Sequence, residues 1–275
     1  MNTAPVISVI IAACRARDFI AVAVRAALAQ GVAEIEILVA PDEPREATDY
    51  IFLTKLDPRV RVLPAVPAPA GPGPTRNRAL GQARGRFIAL LDADDLWAPD
   101  YLTHLLPLAE RHGAAFGATR ITDWQGNLVR HVTATDGEIG FADFAGAYAS
   151  LHGIARNRPE RCWRDVLAED VVFDLETLAL CGGRAPFAAA AVYQLRQHPQ
   201  SVTRSGCFQA AIGAGYDRLV TLITDDLTLI PPAHHAAASC VLRSWQQMNA
   251  DFGQASAADP PLAYQAFVAR ATSPG

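Results

Sequence analysis

The chain has 275 residues, 51% of them hydrophobic, with a formal net charge of -4 and a pI near 6.0. That length can bury a sizeable core as one large or two unequal domains. The acidic balance leaves no basic footprint for nucleic acid, and no apolar run approaches the roughly 18 to 20 residues of a membrane span.

The stretch from Val6 to Ala13 is apolar, but no basic segment precedes it and Arg15, Arg17, Asp18 and Arg25 follow closely. It therefore reads as mature protein rather than a secretory signal. The five cysteines, Cys14, Cys162, Cys181, Cys207 and Cys240, are widely spaced and form no CxxC pair. They argue against a zinc site or disulfide framework and for buried, reduced thiols in a cytoplasmic protein.

Val6 to Ala12 is β-branched and apolar, the pattern of a buried strand. Asp18 can cap a helix running to Gln30, with Gly31 as its stop. Glu34 to Ala40 reads as a second strand, ending at Pro41-Asp42-Glu43-Pro44. Strand, helix and strand form a right-handed βαβ unit with parallel strands. Asp42 then falls at the carboxyl edge of the sheet, as a ligand-facing group or a plain turn residue.

Glu46 to Leu56 has a helical pattern and Val60 to Leu63 suits a short strand. Pro64 to Pro74 holds five prolines and two glycines and predicts a surface loop. A short helix from Thr75 should follow, with Pro74 at its start and Gly85 at its stop. Arg76 and Arg78 near its N-terminus suit either a phosphate site or a solvated basic helix.

Arg86-Phe87-Ile88-Ala89-Leu90-Leu91 then leads into Asp92-Ala93-Asp94-Asp95. Five apolar residues between Arg86 and Asp92 predict a strand buried on both faces, with three acids at its carboxyl end. Carboxylates one residue apart can hold a hard divalent cation together with substrate phosphates, or can simply cap a turn. Asp95 and Asp100 are the candidate caps, and Asp95 reads as doing no more than that.

A helix from Trp97-Ala98-Pro99-Asp100 to about His112 should bury Leu102, Leu105, Leu106 and Leu108, with Pro107 kinking or ending it. Ala114 to Thr122 and Leu128 to Thr133 flank a hairpin turn at Asp123-Trp124-Gln125-Gly126-Asn127. Phe141 to Leu151, Val171 to Leu180, Phe208 to Leu222 and His234 to Phe252 have helical patterns. In the last, Val241, Leu242, Trp245 and Met248 form an apolar stripe suited to packing on the catalytic domain or a second subunit.

Four of these pieces, in this order, resemble the inverting family-2 glycosyltransferases of GT-A fold: Ile7-Ser8-Val9-Ile10-Ile11-Ala12, Thr75-Arg76-Asn77-Arg78-Ala79-Leu80, the Asp92-Ala93-Asp94-Asp95 strand end, and Ala168-Glu169-Asp170. The resemblance spans roughly Ala4 to Ser205. It implies an α/β catalytic domain over about 1–205, with a donor half to about 100, an acceptor half beyond it, and a helical extension over 206–275. It also implies a UDP- or dTDP-type sugar donor, Mn2+ or Mg2+, and a sugar, lipid-linked or other hydroxyl acceptor.

On this resemblance Asp42 reads the nucleotide base, with Ala12 beside it, and Asp92 contacts the nucleotide's sugar or phosphate side. Arg76 lies near the diphosphate or base, Asp94 holds the metal, and Asp170 is the catalytic base. His198, in Tyr193-Gln194-Leu195-Arg196-Gln197-His198-Pro199-Gln200-Ser201, is similar to a family histidine that reaches the metal or diphosphate.

The chain departs from the family at Ala12-Ala13-Cys14-Arg15, which lacks the usual Pro-x-Tyr-Asn turn, and has no Gln-x-x-Arg-Trp tract. Single-sugar transfer is therefore expected rather than processive synthesis, in the cytoplasm or peripheral to the inner membrane face, with a homodimer through the C-terminal helices as one arrangement. The rival readings are a nucleotide-sugar-binding protein without turnover and a nucleotidyltransferase. The latter lacks its Gly-rich basic signature here.

Overall fold

The computed structural model describes residues 4–42, 49–134, 137–198, 208–259 and 262–272. Its first part is built on β1 (Ile7–Ala13), β2 (Ile35–Pro41), β3 (Val60–Val62) and β4 (Phe87–Leu90), all pairing in parallel in the order β3-β2-β1-β4. Alternate residues of these strands face opposite layers. Ile7, Val9 and Ile11 pack on one side with α1 (Ile20–Leu28), while Ile10, Leu38 and Ile88 pack on the other with Ala79 and Phe173. Both faces are covered, which explains why these strands read as unbroken apolar runs.

The sheet continues past β4 through β9 (Gly153–Arg156), β6 (Ala114–Asp123), β10 (Arg184–Gln197) and β5 (Leu96–Trp97). β7 (Leu128–Val132) pairs with β6 and β8 (Glu138–Gly140) with β10. β9 is antiparallel to both β4 and β6, so the direction changes where the halves meet. The expected β6–β7 hairpin forms, with Gly126 at φ 92° and Asp123 accepting from the Asn127 amide at 2.8 Å.

The remaining helices are α2 (Pro72–Leu80), α3 (Tyr101–His112), α4 (Phe141–Ala147), α5 (Glu169–Leu180), α6 (Phe208–Thr224), α7 (His235–Ala258) and α8 (Tyr264–Thr272). Val241, Leu242 and Trp245 of α7 share one core with Phe144 of α4, Leu175 of α5 and Leu219 of α6. The apolar stripe read in the C-terminal region thus packs onto the second half of the sheet domain. Among the described residues no helix is long and apolar enough to cross a membrane.

Several local expectations are corrected. Phe19 rather than Asp18 sits at the N-cap of α1, with no side-chain cap. Pro107 does not end α3, which runs on to Gly113 at φ 92°. Asp100 stands at that helix's N-cap in a left-handed conformation, φ 63°, without capping it through its side chain. Of the helix expected over 46–56, residues 46–48 lie outside the described residues, and Ile51–Lys55 is a 3-10 turn. Cys207 and residues 199–201 of the His198 tract also lie outside them. Cys14, Cys162, Cys181 and Cys240 are free, but Cys14 and Cys240 are exposed, against the expectation of burial.

Candidate active site

The carboxyl ends of β1, β2 and β4 open onto one cleft of about 340 Å3, lined in part by Ala12, Asp42, Arg76, Asp92 and Asp94. Parallel strands make this convergence inevitable: register pairs Ala12 with Ala40, and β4 runs beside β1 in the same direction. A crevice at strand carboxyl ends is the general ligand position of open α/β sheets.

α2 begins earlier than its sequence suggests, with Gly71 as N-cap and Pro72 as the first helical residue, and it ends at Leu80 rather than Gly85. Asp42 drives this start. Its carboxylate accepts from the Ala70 amide at 3.0 Å, the Gly71 amide at 3.2 Å and the Thr75 hydroxyl at 2.5 Å. Gly71 has φ 86°, a backbone conformation that favours glycine. Asp42 therefore lies in the cleft with both oxygens engaged, and a nucleotide base would share an acceptor already in use.

The start of α2 delivers Arg76 inward. Its guanidinium is buried and bridges two carboxylates, donating from Nη2 to Asp92 Oδ1 at 2.8 Å and from Nη1 to Glu169 Oε1. Burial opposes the charge, but Asp92, Glu169 and Asp170 outweigh it and hold Arg76 protonated beyond its ordinary range. Burial likewise opposes ionisation of Asp92. Arg76 and His152 overcome it and keep that carboxyl well below the usual carboxylate range. His152 Nε2 lies 3.8 Å from Asp92 Oδ2, an ion-pair distance rather than a hydrogen bond.

The three acids have three different surroundings. Asp94 lines the cleft, and burial together with the Asp92 charge pushes it up to about 6, against the pull of Arg196 and His198. Asp95 turns away and is 4% exposed, accepting from the Tyr193 hydroxyl at 2.8 Å and the Arg196 amide at 2.7 Å. It is more than a turn cap: it ties the strand end to β10. Burial, Asp94 and Asp92 push its carboxyl well above the ordinary range.

His198 comes to the same region. It packs edge-on to Trp124 at 4.5 Å and lies 5.5 Å from Phe19, a cleft residue. Arg196 stacks over Trp124 at 4.4 Å and donates through Nε to the Asp94 carbonyl at 2.6 Å. Among the described residues no three His, Cys, Asp or Glu side chains converge as a closed metal cage. A Mg2+ or Mn2+ ion that keeps waters and binds substrate phosphates needs only one or two protein ligands. A carboxylate whose charge is costly where it stands, with an imidazole near enough to bias it, fits that mode.

Asp170 is the second residue of α5. It does not line the cleft; with His152 and Asp174 it lines a small pocket between α5 and the sheet. Its neighbour Glu169 takes Arg76, and burial and Asp170 push Glu169 up to about 7 despite that partner. Ala168, just before α5, is left-handed at φ 69° and turns the Glu-Asp pair inward. Sequence reasoning missed Ser150, which donates to Asp170 Oδ2, and His152; neither belongs to a local pattern. The adjacent acids could have flagged Glu169 as a second buried partner.

A family model described as glycosyl transferase family 2 matches residues 8–160. The succinoglycan biosynthesis protein ExoO of Rhizobium meliloti is 38% identical over 114 residues, 42% of this chain and 32% of that protein. The chain thus spans about a third of that curated relative's length. Among solved structures, S. aureus TarS 1-349 in complex with UDP-GlcNAc aligns with a TM-score of 0.58 at 14% identity, over 90% of this chain and 92% of that one. The mannosyltransferase PcManGT from Pyrobaculum calidifontis, in complex with GDP-Man and Mn2+, aligns with a TM-score of 0.58 at 15% identity, over 98% of this chain and 80% of that one. At such identity the structural likeness speaks for the fold, and the family model speaks for the lineage. With the GT-A-like sheet, the acidic strand end and more than half of its length matched, the chain belongs to glycosyl transferase family 2.

Proposed function

We propose that the protein moves a single sugar, with inversion and metal dependence, from a nucleotide-diphospho-sugar of UDP or dTDP type to an acceptor hydroxyl. The observation that carries this reading is the Arg76 bridge. One buried guanidinium joins Asp92, at the donor cleft, to Glu169, the residue next to Asp170. Donor carboxylates and candidate base thereby belong to one rigid unit.

In this reading Ala12 and Asp42 form the nucleoside end of the cleft, and Asp42 works by holding the start of α2. Asp92, kept ionised by Arg76 and His152, receives the nucleotide's sugar or phosphate side. Asp94, with His198, holds Mn2+ or Mg2+. When bound, that ion stabilises the negative charge that develops on the leaving diphosphate. Asp170 takes the acceptor hydroxyl's proton as its oxygen attacks the anomeric carbon from the face opposite the diphosphate. Such general-base help is typically worth about 100- to 10,000-fold. The acceptor is a sugar, lipid-linked or other hydroxyl compound.

The test is a panel of UDP-, dTDP- and GDP-sugars with Mn2+ and candidate acceptors, scored by acceptor-dependent release of nucleoside diphosphate. Release of pyrophosphate would indicate a nucleotidyltransferase instead. Binding of UDP without acceptor-dependent release across the panel would favour a binding protein without turnover.

A further inference from the structure

We propose that Ser150 is a positioning residue for Asp170, holding the carboxylate in the one orientation from which it can take the acceptor's proton. The proposal rests on the reading of Asp170 as the general base. The Ser150 hydroxyl donates to Asp170 Oδ2. That bond engages one oxygen and turns the other toward a separate task, as an aimed proton acceptor requires.

The segment that carries Ser150 is itself fixed. It lies between α4 and β9, with Leu151 1% and His152 5% exposed. The Tyr101 hydroxyl donates to the His152 carbonyl at 2.8 Å. The His152 ring stacks on Tyr193 with centroids 4.0 Å apart and faces Asp92. Ser150 and His152, two residues apart, thus meet Asp170 and Asp92, so the Ser150 hydroxyl is registered against the donor carboxylate and the base helix together. A single directional bond from so fixed a segment sets the orientation of the carboxylate.

The charged and titratable groups around Asp170 are Glu169 and Asp174 on its own helix, Arg76 on α2, Tyr216 on α6 and His152 on this segment. None of them is altered by removing the serine hydroxyl.

The experiment compares Ser150→Ala, Ser150→Thr and Asp170→Asn in the full chain, each checked for folding by thermal denaturation. It measures kcat and donor Kd, and whether the conservative Ser150→Thr restores what Ser150→Ala loses. Ser150→Ala should lower kcat about 10- to 100-fold and leave donor Kd within about twofold; Ser150→Thr should restore kcat. If Asp170→Asn is inactive while Ser150→Ala keeps its kcat, the positioning role is overturned and the base stands. Equal losses of kcat and donor affinity in Ser150→Ala would reduce the serine to a structural contact and also overturn it. Turnover retained in Asp170→Asn would remove the base and this proposal with it.

Discussion

The Tyr193 hydroxyl donates to Asp95 Oδ2 at 2.8 Å and accepts from the Asp92 amide at 3.1 Å, so one residue of β10 holds the acidic strand end at two points. This hold from β10 adds to that of Arg76 on Asp92. Tyr193→Phe removes the bridge and leaves Asp95 Oδ2 buried without its donor. The expected cost is about 1 to 3 kcal/mol, measured by denaturant unfolding. A change below about 0.5 kcal/mol would show that the hydroxyl is dispensable.

Asp94 lines the cleft, and burial together with the Asp92 charge has already raised it to about 6. Asp94→Ala should abolish the Mn2+-dependent part of donor binding and leave metal-free nucleotide binding within about threefold. Titration calorimetry with UDP, with and without Mn2+, measures both quantities. Equal loss in the two conditions would point to a general collapse of the cleft instead.

Asp170 lines the pocket of His152 and Asp174 rather than the cleft of Asp42, Arg76, Asp92 and Asp94, and it follows Glu169, the partner of Arg76. Asp170→Asn should therefore keep donor affinity within about twofold while turnover falls about 100- to 10,000-fold. Single-turnover kinetics at saturating donor separates the chemical step from binding.

Glu36 predicts a pH dependence far from the cleft. Burial opposes its charge, but hydrogen bonds from Arg84 and Ser8 hold its carboxyl below the ordinary value. The folded value is thus lower than the unfolded one of about 4.3. On acidification the unfolded chain takes up its proton first, so stability rises with pH through this window. The contribution of Glu36 is complete above about pH 4.3 and is lost as pH falls through the folded value. Thermal midpoints of Glu36→Gln should consequently fall less steeply below about pH 4.3 than those of the unaltered protein.

How far the site could be read in advance differs from residue to residue. The positions of Asp92 and Asp94 were legible because a five-residue apolar run reads as a buried strand and places the acids after it at the carboxyl end, and β4 does end at Leu90. Asp42 was legible as a position on the sheet edge. Its engagement with the Ala70 and Gly71 amides was not, since those partners lie 28 and 29 residues away across a proline-rich loop. Asp95 shows the same limit. Locally it is one more turn aspartate, and only β10, about a hundred residues later, gives it a buried partner.

The sequence by itself determined the local grammar of this protein. Strand periodicity, the βαβ order, the acidic strand end and the Arg-Asn helix each follow from neighbouring residues, and together they sufficed for the family and the sheet. Tertiary structure decided which charges face one another. Arg76 meets Glu169 at a separation of 93 residues, and Ser150 meets Asp170 from a segment with no motif. The physical reason is that an ion pair or hydrogen bond depends on a few ångströms of distance, and those are set by how helices seat on the sheet rather than by chain neighbours.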